Sequence, residues 1–261
     1  MSLNRLFGTP QILQTTKEIK EWFHARRKAH LQEGDVHELL HLLHPRGIFF
    51  KTLPYDSCVL DVGAGDGSLQ VLKKWPAPVR MDIKVYAYGL EKGQHYDDLD
   101  GYELGHWPEV APDFPGLAFN VIFCSHFLEH IKEPTRFIAW CAARLPLDGR
   151  LYLEWPSPHA LGLPSRSELA AAGVELIISN YRDDCTHNEL PEREAVLTSL
   201  VEAGFFVEQT GVVRFPFMED ELLADFAATD RDPYGRQSAF WSKTYWSQYI
   251  VAAKARSSQT G

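Results

Sequence analysis

The chain has 261 residues, 45% apolar and 23% charged, which suits one large domain whose core needs no disulfide or metal staple. Its formal net charge of -9 at pH 7 disfavours nonspecific binding to nucleic acid or anionic membrane, so no nucleic-acid partner is expected. Cys58, Cys124, Cys141 and Cys185 are widely spaced with no CxxC pair, which speaks against a zinc ribbon or a redox dithiol, and three of the four sit in apolar runs that read as core.

The start, "MSLNRLFGTPQ", has no apolar signal-peptide centre, and no stretch reaches the roughly 18 apolar residues of a membrane span. A cytoplasmic, reducing location is the resulting expectation. Residues 15 to 44 read as helix, with Trp22, Phe23, Leu31, Leu39, Leu40, Leu42 and Leu43 as apolar positions and Gly34 as a break. The basic stretch from Lys17 to Lys28 reads as a solvated helix face.

Then the pattern alternates. "CVLDV" is predicted as a strand, "GSLQVLKKW" as a helix ending before Pro76, and "VRMDIKVY" as a second strand. Residues 84 to 116 are rich in Gly, Asp and Pro, with room for one short strand near 94 to 99. "FNVIFCS" is a continuous apolar strand, "EPTRFIAWCAARL" a helix with Pro134 in its first turn, and "GRLYLEW" another strand. Residues 157 to 190 are mixed. "PEREAVLTSLVEAG" is a helix ending at Gly204, and "FFVEQTGVV" and "QYIVAAKA" are strands around a polar, aromatic insertion at about 216 to 245. Continuous apolar strands separated by helices indicate a mainly parallel sheet with helices on both faces, a doubly wound α/β domain. The expected division is an N-terminal helical extension, 1 to 50, and a main domain, 51 to 261, whose insertion lies on the substrate side.

The glycine turn in "VLDVGAGDG" follows the first strand, where cofactors bind. A phosphate-binding loop needs Lys and a hydroxyl residue after its last glycine, but Gly67 is followed by Ser68 and Leu69. A dinucleotide turn fits in part, with Ser68 at the sixth position counted from Gly63, and Asp66 would repel a pyrophosphate at the helix N-terminus. An adenosyl cofactor carrying a small cationic amino-acid part suits both the glycines and the acids.

"LDVGAGDG" resembles the first motif of class I S-adenosylmethionine-dependent methyltransferases of the small-molecule type. "FNVIFCSHFLEHIKEPTRFIAW" resembles the family's fourth strand and following helix, and "LPLDGRLYLEWPSP" its fifth strand. "DDCTHNELPEREAVLTSLVEAGFFVE" resembles a late segment, so the likeness covers residues 57 to 156 and 183 to 212. Asn120 stands where Asp is usual, and "LDG" replaces the usual Lys-Pro-Gly-Gly. The resemblance implies a seven-stranded, mainly parallel sheet with an antiparallel last strand beside the fifth.

It also implies cofactor contacts from Asp61, Gly63, Ala64, Gly65 and Gly67. The ribose acid is expected at Asp82, with Glu91 the weaker competitor, and the adenine-side acid at Asp98, with Asp97 close behind. Ser125 and His126, just past the fourth strand, are expected to touch cofactor or substrate. His126 or His187 could serve as general base for a hydroxyl nucleophile. His130 reads as structural. A metal at His126, His130 and His187 is conceivable, but the spacing does not require it and none is expected. Of Trp107, Trp155, Trp241 and Trp246, Trp155 is the one expected beside the site.

The implied activity is methyl transfer from S-adenosylmethionine to a small molecule, sugar or lipid-linked intermediate, leaving S-adenosylhomocysteine. The absence of an Asn-Pro-Pro-aromatic run after the fourth strand, where "SHFL" stands, fits that class. The rival readings are a cofactor-binding module of the same fold without catalysis and a nicotinamide-dependent oxidoreductase. The sequence leaves the oligomeric state open.

Overall fold

A computed structural model describes residues 12–224 and 233–255. The contacts among them form two compact units. One comprises residues 41–156, 186–211 and 248–255. The other comprises the stretches 12–40, 157–185, 212–224 and 233–247.

The first unit is built on a seven-stranded sheet in the order β3-β2-β1-β4-β5-β7-β6. The strands are β1 Cys58–Val62, β2 Lys84–Gly89, β3 Gly101–Leu104, β4 Val121–Ser125, β5 Arg150–Pro156, β6 Phe205–Val212 and β7 Ser247–Lys254. β1 to β5 run parallel, with Val62 opposite both Tyr88 of β2 and Cys124 of β4, and Ser125 opposite Glu154 of β5. β7 enters between β5 and β6 and runs against both: Lys254 N donates to Gly149 O at 2.8 Å and Ala255 N to Gly204 O at 2.9 Å. The expected doubly wound sheet with an antiparallel last strand is therefore present.

Both faces are covered, which is why the central strands read as continuous apolar runs. On one face the ring of Phe123 stacks on Tyr152 with centroids 4.7 Å apart, and Phe49, from the helix Pro45–Lys51, lies 5.3 Å from Tyr152. On the other, Leu60, Ile122, Cys124, Leu151 and Leu153 join Phe137, Cys141, Val196 and Leu200 from the helices Pro134–Arg144 and Arg193–Glu202. As expected, Cys124 and Cys141 are core; Cys58 is half-buried and Cys185 exposed.

Two local expectations are corrected. The second strand begins at Lys84, not at "VRMDI", and its carboxyl end is Gly89. The short strand expected near 94 to 99 is a 3-10 turn at Tyr96–Asp98, and β3 follows at Gly101.

The second unit is helical. The helix Thr16–His24 starts from a capping box in which Thr15 and Glu18 satisfy each other's backbone N–H groups. The helical break falls at residues 25–32, before Gly34, which lies inside the helix Glu33–Leu43. Arg27 pairs with Asp220 at 2.9 Å, Phe23 packs near Phe240, and Gln237 Oε1 accepts from Ile177 N at 2.8 Å. The segment expected as an insertion carries the helices Glu219–Ala224 and Pro233–Thr244, and its residues 225–232 lie outside the described residues. Among the described residues, no helix is long and apolar enough to cross a membrane.

Candidate active site

The glycine turn leaves β1 at its carboxyl edge, where a parallel sheet presents ligand sites. Gly63 N and Ala64 N both donate to Tyr88 O, at 2.9 and 3.1 Å, and Gly67 N donates to Ala64 O at 2.8 Å, which closes the turn. Gly65 and Gly67 have φ of +53° and +80°. A Cβ on Gly67 would stand 2.8 Å from the ring of Tyr96, whereas a Cβ on Gly65 would meet nothing within 4 Å. Gly67 thus serves packing, and Gly65 keeps its space open.

Two cavities flank this turn, and Gly63, Gly65 and His126 line both. The larger, about 520 Å³, is bounded by Tyr88, Gly89, Leu90 and Glu91 after β2, Gly105, His106 and Trp107 after β3, and Phe127, His130, Ile131 and Thr186. The smaller, about 380 Å³, is bounded by His41, Arg46, Asp61, Ala64, Asp66, Ser68 and Ser125, among others. Asp61, Gly63, Ala64, Gly65, Ser125 and His126 are therefore brought together around the two cavities. Gly67 supports the turn from beneath without lining either cavity.

Asp82 is not brought there. It precedes β2, at the strand's amino end, where Arg80 grips its two carboxylate oxygens at 3.0 and 2.8 Å. That hydrogen-bonded pair holds the Asp82 carboxyl down at about 2. The acid at the carboxyl edge of β2 is Glu91. Asp98 and Asp97 are exposed in the turn before β3, outside both linings, and Asp97 pairs with Lys92 at 2.6 Å. After β3 the cavity wall is His106 and Trp107 instead. Trp155 is fully buried in the core, donating to Pro191 O at 2.9 Å, so Trp107 is the tryptophan of the cavity.

Asp61 is 5% exposed. Burial, then the nearby charge of Asp66, raises its pKa to about 8 against a smaller opposing pull from Arg46.

His126 takes φ +54°, a conformation uncommon outside glycine, and its N–H donates to Glu154 O at 2.8 Å. Its ring sits between two buried carboxylates, Nδ1 3.0 Å from Glu129 Oε1 and Nε2 3.2 Å from Glu154 Oε1. Burial opposes charging the ring, but the hydrogen bonds to Glu129 and Glu154 and their charges outweigh it and raise the pKa to about 9. The geometry is that of an imidazolium donating at both nitrogens, which corrects the general-base expectation for His126. Burial also opposes the charge of Glu154, yet the nearby positive charge, that of His126 above all, holds its carboxyl well below the usual range. Tyr152 Oη donates to its Oε2 at 2.5 Å. Burial and then Arg46 push His44 itself down to about 3.

Glu129 and His130 lie in a 3-10 turn, Leu128–His130, and the next helix starts only at Pro134. His187 lies in a loop, its ring centroid 4.8 Å from that of His130. The role of Glu129 and Glu154 was missed by sequence reasoning; the only signal was two acids in apolar surroundings, in "FLEHI" and "LYLEWP".

The sequence profile of a family described as "Methyltransferase domain" matches residues 20–210. A ubiquinone biosynthesis O-methyltransferase of Xanthomonas euvesicatoria pv. vesicatoria (strain 85-10) is 31% identical over 128 residues, 46% of this chain and 49% of that protein. The namesake from Xanthomonas axonopodis pv. citri (strain 306) is 29% identical over 150 residues, 53% of this chain and 59% of that protein. The chain thus spans about half the length of the curated relatives it matches. Among solved structures, the cyclopropane synthase MmaA2 from Mycobacterium tuberculosis matches with a TM-score of 0.51 at 17% identity, covering 89% of this chain and 90% of that one. That last likeness is one of fold.

Proposed function

The chain belongs to the methyltransferase-domain family, the S-adenosylmethionine-dependent enzymes of class I, and on that footing we propose that it methylates a hydroxyl oxygen of a small molecule. The observation that carries this reading is the pair of cavities meeting at Gly63, Gly65 and His126 on the carboxyl edge of the sheet. The open side of Gly65 admits a ligand against the backbone, and the two linings differ as the two ends of the cofactor do.

In this reading Glu91 accepts hydrogen bonds from the ribose hydroxyls, and Trp107, Phe127 and Ile131 enclose the adenine beside His106. Arg46 meets the carboxylate of the amino-acid end, and Asp61 its ammonium. When bound, S-adenosylmethionine would supply an activated methyl on a sulfonium: an acceptor hydroxyl oxygen would take the methyl as the sulfur–carbon bond breaks, leaving S-adenosylhomocysteine, and the hydroxyl proton would pass to solvent. Glu129 and Glu154 flank the His126 ring on both nitrogens, so the positive charge of the ring is met by carboxylates at the wall shared by the cavities. His126 is then a positioning residue that fixes Glu129 and Glu154 and shapes the wall shared by the cavities. Holding acceptor and methyl in line contributes roughly 7–11 kcal/mol of rate acceleration.

The choice of oxygen is supported by the two relatives, which are named O-methyltransferases. A sugar or a lipid-linked intermediate carries such hydroxyls as well. The test is transfer of a radiolabelled methyl to a panel of hydroxylated and amino compounds, with each product analysed for an ether or an N-methyl group. Label found only on nitrogen would overturn the oxygen assignment, and absence of cofactor binding by calorimetry would overturn the site.

A further inference from the structure

We propose that Glu154 is a positioning residue for the cofactor. Lining neither cavity, this buried carboxylate holds the start of the helix Pro45–Lys51 through His44, and so sets the place of Arg46 in the smaller cavity. Through His126 it also fixes the end of β4. The inference rests on the reading above, in which the smaller cavity takes the amino-acid end of S-adenosylmethionine.

Glu154 is 1% exposed and stands in β5 between Leu153 and Trp155, both fully buried. An ionised carboxylate at that depth is costly unless close partners offset the lost hydration, and packing alone would favour an apolar side chain. The groups around it are those that build the cavity wall. Its Oε1 lies 3.2 Å from His126 Nε2 and 3.9 Å from His44 Nε2, and its Oε2 accepts from Tyr152 Oη. His126 lines both cavities, and Tyr152 packs on Phe49 of the helix with ring centroids 5.3 Å apart.

His44 is the link to Arg46. It caps the helix N-terminus, its Nδ1 accepting from Arg46 N at 3.3 Å. Burial, and then the charge of Arg46, keep the ring neutral, so its single hydrogen sits on Nε2, the nitrogen that faces Glu154. At 3.9 Å the attraction is that of an N–H dipole for an ionised carboxylate rather than a hydrogen bond. A Cβ on Gly47 would stand 1.8 Å from His41 O, so the helix is also pressed against His41, which lines the same cavity. His44 and Gly47 together give Arg46 a fixed backbone from which to reach the ligand.

The test titrates the full chain with S-adenosylhomocysteine and with 5′-methylthioadenosine by calorimetry. Both carry the adenosine and an uncharged sulfur, and only the first has the amino-acid end. Glu154→Gln should weaken S-adenosylhomocysteine by roughly fivefold or more while 5′-methylthioadenosine stays within about twofold of the wild-type value. His44→Asn keeps a capping oxygen for the helix but is too short to reach Glu154, and it should show the same split. The double variant should lose no more than either single one, because the two residues act in series. Thermal melting establishes that each variant is folded, and His44→Asn is decisive if Glu154→Gln is not. Equal weakening of both ligands, wild-type affinity for S-adenosylhomocysteine in folded His44→Asn, or additive losses in the double variant would overturn the proposal. Equal binding of the two ligands by the wild-type chain would instead overturn the cofactor reading, and the inference with it.

Discussion

His126 Nε2 lies 3.2 Å from Glu154 Oε1, and these two residues also share a backbone bond, His126 N to Glu154 O at 2.8 Å. The end of β4 is thus tied twice to β5 at the point where the two cavities meet. With Glu129 on the other nitrogen, the ring's pKa is raised against the opposing effect of burial to about 9, above its ordinary 6.5. A raised histidine contributes stability that is full below pH 6.5 and is lost as pH rises through 9. Melting temperature should therefore fall across that window, and nuclear magnetic resonance should show His126 protonated at pH 7.5. Glu154→Gln should lower the His126 pKa. His126→Ala should destabilise by about 3–5 kcal/mol, because it strands a buried carboxylate. A neutral His126 at pH 7.5 would refute the assignment.

Asp61 carries the opposite charge problem. Its pKa of about 8 in the cofactor-free chain lies above the ordinary 3.8, so its stabilising effect is full below pH 3.8 and is lost as pH rises through 8. An incoming ammonium favours the ionised form, so cofactor binding at pH 7 should release a proton. Calorimetry in buffers of different ionisation enthalpy measures that release. Asp61→Asn should abolish it, weaken cofactor binding roughly tenfold or more, and raise stability at pH 9 by roughly 1–3 kcal/mol. Proton release unchanged in the variant would place the ammonium elsewhere.

The parts of the site that were legible in the sequence are those built from continuous apolar strands. β1, β4 and β5 are buried on both faces, so their ends, and with them the place of Asp61, the glycine turn, Ser125 and His126 at the sheet edge, follow from the apolar runs, whereas the cofactor role of Asp61 and the glycines is what the family resemblance implies. β2 was misread at its start. Asp82 looks like an acid ending a strand in "VRMDI", but Arg80 pairs with it locally, before the strand begins. The run Val85 to Leu90, stopped by Glu91, carried the better signal. β3 is a four-residue strand at the sheet edge with alternating burial, so it has no apolar run to mark it, and the acids before it were taken for those after it. His130 and His187 stand far apart in the sequence, and the 4.8 Å approach of their rings had no periodic trace.

Glu91 and Asp82 should separate cleanly by experiment. Glu91→Ala removes the acid at the cavity and should weaken S-adenosylmethionine by roughly 10- to 100-fold, as expected for hydrogen bonds to a charged group worth about 1.5–3 kcal/mol. The melting temperature of that variant should barely change, since Glu91 is exposed. Asp82→Ala breaks the pair with Arg80 and should lower the melting temperature while leaving cofactor affinity intact. Calorimetry on both variants decides the matter, and weaker binding in Asp82→Ala with none in Glu91→Ala would reverse the assignment.

Gly65 and Gly67 make the same contrast within a single turn. Both sit at positive φ, so an alanine at either place costs about 1–2 kcal/mol in backbone strain. At Gly67 the added Cβ also meets the Tyr96 ring at 2.8 Å, and Tyr96 is fully buried, so the ring has little room to give way. Gly67→Ala should therefore lose further stability beyond the strain. At Gly65 the Cβ meets no atom of the protein within 4 Å, in a residue that lines both cavities. Gly65→Ala should fold with a modest drop in melting temperature yet lose cofactor affinity by tenfold or more, because the methyl occupies the space the ligand needs. Thermal melting and cofactor titration on the two variants read the two effects separately. Wild-type affinity in Gly65→Ala would mean that the cofactor does not approach the turn from its open side.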